Sequence, residues 1–130
     1  MKLLIIMLLV VGMAVYHITS VYAANPILPG LGVCDPHIRI YNNRAWLYAT
    51  HDASVGNTGF TMYDWWVWSS TDLVNWTHES TLRPEETYFK APSTTCWATD
   101  SVKRNGKYFF YFSMGVTDVG VVVGNTPKGP

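Results

Sequence analysis

A unit that occurs twice, each time led by an aspartate, constrains this chain more than any other feature. The first copy runs from Cys34-Asp35-Pro36-His37 to Thr50 and the second from Trp97-Ala98-Thr99-Asp100 to Ser113. Each reads as aspartate, short apolar strand, tight polar turn, aromatic strand and small hydroxyl residue. A third strand follows each copy, Trp65 to Ser70 in one and Val119 to Gly124 in the other. An all-β unit repeated at long period predicts a propeller or a related array. The shared aspartate predicts carboxylates around one rim of it.

The local pattern supports strands throughout. Ile38 and Ile40 alternate with His37, Arg39 and Tyr41, which is strand periodicity. Asn42-Asn43 and Asn105-Gly106 are hairpin signals, because Asn and Gly tolerate the positive φ such turns need. The stretch from His51 to Thr61 reads as a loop, and Thr71 to Trp76 as a turn into a short fourth strand. Leu82 to Thr95 reads as a polar loop with two prolines. Tyr108 to Phe112 is aromatic on both faces, which predicts a strand sandwiched between layers. No segment after Ala23 has a helical period.

Antiparallel neighbours reverse direction at each turn. The start of strand one, the end of strand two and the start of strand three therefore share one end of the unit. In the first copy that end collects Asp35, His51, Asp52 and Asp64; in the second it collects Trp97 and Asp100, then Ser113-Met114. The other end holds plain turns, so chemistry is expected at the first.

The N-terminus carries a different signal. Lys2, an apolar run from Leu3 to Tyr16 and the small-residue pattern Val21-Tyr22-Ala23 describe a secretory signal peptide cleaved after Ala23. The run is shorter than the roughly 20 residues that a bilayer core needs, so stable membrane insertion is not expected. Residues 24–130 remain for one small domain. Acidic and basic residues balance to a formal net charge of zero, so no long-range field favours nucleic acid. Six Trp and eight Tyr suit sugar recognition as well as β cores. Export makes a Cys34–Cys96 disulfide plausible, with two buried free thiols as the alternative. Two cysteines without a nearby histidine pair do not make a zinc site.

At several of these stretches the chain resembles glycoside hydrolase family 43. They are Asp35-Pro36-His37-Ile38, the run from Ser69 to Trp76, Trp97-Ala98-Thr99-Asp100, Asn105-Gly106-Lys107-Tyr108 and the run from Gly124 to Pro130, with Asn25-Pro26-Ile27-Leu28 ahead of them. Singly each is weak; in this order and spacing they are specific. The resemblance implies a five-bladed β-propeller, of which this chain supplies about the first two blades. It implies cleavage of α-L-arabinofuranosyl or β-xylosyl linkages in plant polysaccharides with inversion at the anomeric carbon. Asp35 matches the family's general base. The third-blade aspartate that tunes the acid and the glutamic acid itself are expected beyond Pro130, so the chain alone is expected to be poorly stable and inactive. Asp100 matches the second-blade Trp-Ala-Pro-Asp motif near the substrate pocket, with Thr99 in place of the proline; the alternative is an acceptor of backbone N–H groups. Trp97 is expected either to stack on a sugar or to pack between blades. His51, Asp52 and Asp64 are candidates for substrate hydroxyls, and His51 and Asp52 equally for ordering their loop. No cofactor or metal is assigned to these residues, although family members often hold calcium in the central channel. The competing readings are a carbohydrate-binding propeller without catalysis, a protein-binding propeller and a fructan-cleaving enzyme.

Overall fold

Two tight hairpins set the architecture. Asn42 and Asn43 (φ 54° and 57°) and Asn105 and Gly106 (φ 50° and 75°) occupy the left-handed region, as two-residue hairpin turns require. The computed structural model describes residues 27–54 and 59–130. The expected signal peptide and its cleavage point lie outside those residues. The strands are β1 (Val33–Tyr41), β2 (Arg44–Asp52), β3 (Met62–Ser70), β4 (Thr77–Leu82), β5 (Cys96–Arg104), β6 (Lys107–Met114) and β7 (Asp118–Gly124). A 3-10 turn, Pro84–Glu86, lies between β4 and β5. They form two antiparallel sheets, ordered β1-β2-β3-β4 and β5-β6-β7.

The sheets pack on each other through one face of each. Trp46, Tyr48, Trp65 and Val67 from the first meet Phe110, Phe112 and Met114 from the second. Ring centroids of Trp65 and Phe112 lie 4.5 Å apart, and those of Tyr41 and Tyr108 lie 5.1 Å apart edge to face. Truncating a buried aromatic of this kind costs about 3–5 kcal/mol. Gly120 makes room in this layer. A Cβ there would sit 2.3 Å from the Phe112 ring and 2.8 Å from Tyr88, two rings that stack at 6.3 Å.

Polar contacts cross the same seam. The Trp65 indole donates to the Trp97 carbonyl at 2.9 Å, and the Tyr48 hydroxyl donates to the Pro127 carbonyl at 2.8 Å. Lys128 Nζ reaches Glu79 at 2.6 Å, where Ser69 also donates. Lys128, Ser69 and Arg44 together hold the Glu79 carboxyl below the usual carboxylate range.

Of the two states left open for the cysteines, the structure has the free thiols: Cys34, which is only partly buried, and Cys96 are unpaired rather than joined in a disulfide. Cys34 Sγ turns toward Asp52 Oδ2 at 3.7 Å, whereas Cys96 points into the core, where burial pushes its thiol up to about 12. Between these two sheets, the aromatic strand β6 is covered on the face that meets the first sheet. Tyr108, Phe110 and Phe112 are buried against the first sheet, while Tyr111 on the other face is 41% exposed.

Candidate functional site

Asp35 stands at the head of β1 inside a β-bulge. Cys34 pairs with Thr50 and His37 with Tyr48, so Asp35 and Pro36 together oppose Ala49 alone. Asp35 adopts φ 46°, a left-handed conformation that is unusual for any residue but glycine. Such a conformation costs about 1–3 kcal/mol and persists only where its surroundings enforce it. Bulges of this kind re-aim a side chain out of the ladder. The residue is exposed, and its carboxylate has no hydrogen-bond partner among the described residues.

The expected matching carboxylate of the second unit is not there. The two hairpins give the alignment: Asp100 lies five positions before Asn105, as His37 lies five before Asn42. The ladders agree. In β5, Trp97 pairs with Ser113 and Thr99 with Phe112, so the extra residue at the second bulge is Ala98. Ala98 is therefore the counterpart of Asp35, and Thr99 that of Pro36. Asp100 sits beyond the bulge, on the regular part of the strand. Its Oδ2 is 2.5 Å from Arg39 Nη2, and its Oδ1 accepts the Ser101 N–H at 2.6 Å. Arg39 Nε also donates to the Ser101 carbonyl at 2.9 Å, so this aspartate joins the inner strands of the two sheets.

The other rim candidates divide. Asp52 is buried; it accepts the Ser54 N–H at 2.7 Å and faces the Cys34 thiol, so it orders its own loop. His51 and Asp64 are cross-strand partners, and His51 Nδ1 lies 2.8 Å from Asp64 Oδ1. The imidazole also stacks on Trp66 at 3.8 Å and 16°. Trp97 is half-buried and packs against the inter-sheet core, with its carbonyl held by Trp65. Sequence reasoning gave no role to Phe60 or Tyr63, which leave 85% and 50% of their surface open at the same end. Their signal was an aromatic on each side of Thr61-Met62, where the loop enters β3. Among the described residues, no three His, Cys, Asp or Glu side chains converge as a metal site, and Asp100 is already taken by Arg39.

Comparison with known proteins fits this geometry. The model of glycosyl hydrolases family 43 matches residues 23–130. A beta-D-galactofuranosidase of Aspergillus niger is 32% identical over 120 residues, covering 83% of this chain and 34% of that protein. A xylosidase/arabinosidase of Bacteroides ovatus is 27% identical, covering 80% of this chain and 35% of its own. The chain thus spans about a third of the length of these curated relatives. Among solved structures, that of RS223 beta-xylosidase superposes with a TM-score of 0.66 at 29% identity, over 80% of this chain and 36% of that one. A family enzyme from Xanthomonas citri, solved with xylotriose, gives 0.67 at 27% identity over 81% and 32%. These enzymes are five-bladed β-propellers, and the two sheets are adjoining blades of that fold.

Proposed function

The chain belongs to glycosyl hydrolase family 43, and from that premise we propose that it supplies the first two blades of a secreted, inverting glycosidase. Its substrates are α-L-arabinofuranosyl or β-xylosyl linkages of plant hemicellulose or pectin, and Asp35 is the general base. The observation that carries the reading is the state of Asp35: strained, exposed and unpaired at the head of an inner strand. A base must remain ionised and within reach of the water it activates. Asp52, Asp64 and Asp100 are each engaged by neighbours, which leaves Asp35 as the uncommitted aspartate of the first blade's rim.

In the proposed step, Asp35 removes a proton from water as the water oxygen bonds to the anomeric carbon. The glycosidic C–O bond breaks with inversion, and a second carboxyl group protonates the leaving oxygen. That acid stands about 6.5–9.5 Å from the base, leaving room for the water. It comes from blades outside the two described. The relatives' names cover galactofuranosidase, xylosidase and arabinosidase, which supports the glycosidase class more than any single sugar.

The test uses the complete gene product and aryl α-L-arabinofuranoside and aryl β-xyloside. Asp35→Asn is expected to lower kcat by about 10²–10⁴-fold, the range for loss of a positioned base. Proton NMR of the first product formed should show the inverted anomer. Turnover unaffected by Asp35→Asn would overturn the assignment. Binding of xylotriose without turnover by the unmutated protein would instead favour a carbohydrate-binding propeller. Sequencing the N-terminus of the exported protein tests cleavage after Ala23.

A further inference from the structure

His51 is the other rim side chain held in one orientation by its neighbours. Three constraints act on it. Its backbone is fixed in β2 opposite Asp64. Its Nδ1 is 2.8 Å from the Asp64 carboxylate. Its ring lies on the Trp66 indole at 3.8 Å, nearly parallel. The carboxylate at Nδ1 selects the tautomer that carries its proton there, which leaves Nε2 as a hydrogen-bond acceptor in the neutral ring. Nε2 has no hydrogen-bond partner among the described residues, and the His51 side chain keeps about a quarter of its surface open there.

We propose that His51 is a specificity-determining residue of the sugar site, accepting a hydroxyl hydrogen bond at Nε2, with Asp64 and Trp66 as positioning residues. This rests on the glycosidase reading above. A hydroxyl-rich ligand needs acceptors whose direction is set before it arrives, because ordering a free side chain on binding costs about 0.5–1.5 kcal/mol. A histidine clamped by a carboxylate and a ring has lost that freedom already. A site built to pair with a hydroxyl also rejects sugars lacking it, since the acceptor would be left unpaired. In the fold, Val33, two residues before Asp35, pairs with His51, so the histidine stands one strand outward from the proposed base. Asp52, adjacent in sequence, faces the opposite side of the strand toward Cys34, so the two neighbours serve different ends.

The experiment is long-range ¹H–¹⁵N NMR of the histidine rings in the complete gene product carrying Asp35→Asn, with xylotriose titrated to tens of millimolar. The expected result is a His51 spectrum of the Nδ1–H tautomer whose Nε2 resonance moves on saturation, while His37 and His78 stay fixed. His51→Leu keeps an apolar contact to Trp66 but no acceptor, and should weaken xylotriose binding at least fivefold. His51→Gln restores an acceptor and should recover part of it. Asp64→Asn should redistribute the tautomers and weaken binding without changing the backbone amide spectrum elsewhere. If xylotriose shifts resonances around position 35 and Trp97 but leaves His51 unmoved, this proposal is overturned and the sugar site stands. If xylotriose shifts nothing at the rim, both fall.

Discussion

In the first blade the bulge at the head of the inner strand holds Asp35 and Pro36; in the second the matching bulge holds Ala98 and Thr99. Each strand carries one extra residue at this place, but Asp35 takes a positive φ and Ala98 does not, and the side chains differ. In the first copy the bulge presents a strained, unpaired carboxylate to solvent. In the second it presents a methyl group, and the nearest carboxylate, Asp100, is spent on Arg39 across the blade junction. One copy of the unit is equipped for chemistry and the other for holding the blades together. The repeat therefore keeps the position of the bulge without keeping its backbone conformation or its role.

The largest effect should come from comparing the two aspartates directly. In the complete protein, the Asp35→Asn loss of about 10²–10⁴-fold in kcat should have no parallel in Asp100→Asn. That variant should stay within about threefold, and its ion pair, exposed at both ends, should contribute no more than about 1 kcal/mol. Equal losses in kcat would erase the distinction between the copies.

If the second blade is scaffold, its defects should read out as stability. Gly120→Ala places a methyl group against Phe112 and Tyr88, and overpacking of this kind costs about 1–3 kcal/mol. A shift in the urea midpoint with unchanged slope is the expected signature. An unchanged midpoint would mean that the junction is looser than the stacked rings imply.

A smaller effect of opposite sign is expected at Asp35. Glycine adopts positive φ without steric cost, so Asp35→Gly should raise stability by about 1 kcal/mol while abolishing base catalysis. Ala98→Gly in the second bulge should give no such gain, since Ala98 is not among the positive-φ residues. Thermal melts of the two variants side by side make the comparison, and a loss of stability in Asp35→Gly would remove the strain argument.

The smallest effect concerns acid. Glu79 has its carboxyl lowered by Lys128, Ser69 and Arg44. Its contribution is present above the unfolded carboxylate value, about 4.3, and is lost as pH falls through the lower folded value. Stability should therefore decline on acidification below that range, and Glu79→Gln should flatten the decline. An identical acid limb in the variant would show that the junction does not depend on this carboxylate.

Much of this was legible in the sequence because it is local. Asn-Asn and Asn-Gly fixed both hairpins, alternation marked the strands, and chain reversal put Asp35, His51 and Asp64 at one end. What failed was matching Asp100 to Asp35 by residue type, since Asp35 lies seven positions before its hairpin turn and Asp100 five. The pairing of His51 with Asp64 and its stacking on Trp66 depend on cross-strand register, which alternation alone leaves open. The Arg39–Asp100 bridge and the free state of both cysteines depend on how the two sheets dock, and nothing local encodes that.

The segment after β7 returns to the first blade, where Pro127 receives the Tyr48 hydroxyl across 79 positions of chain and Lys128 meets Glu79. Each hairpin can zip from its own turn, whereas these contacts wait until both sheets exist and have met. Contacts that form after the rate-limiting step bear on unfolding alone, and these are the contacts placed to do so. Removing the Tyr48 hydroxyl or the Lys128 ammonium should then leave the refolding rate nearly constant and hasten unfolding. The strap would act as a latch on the finished blade pair, governing how long it lasts rather than how fast it forms.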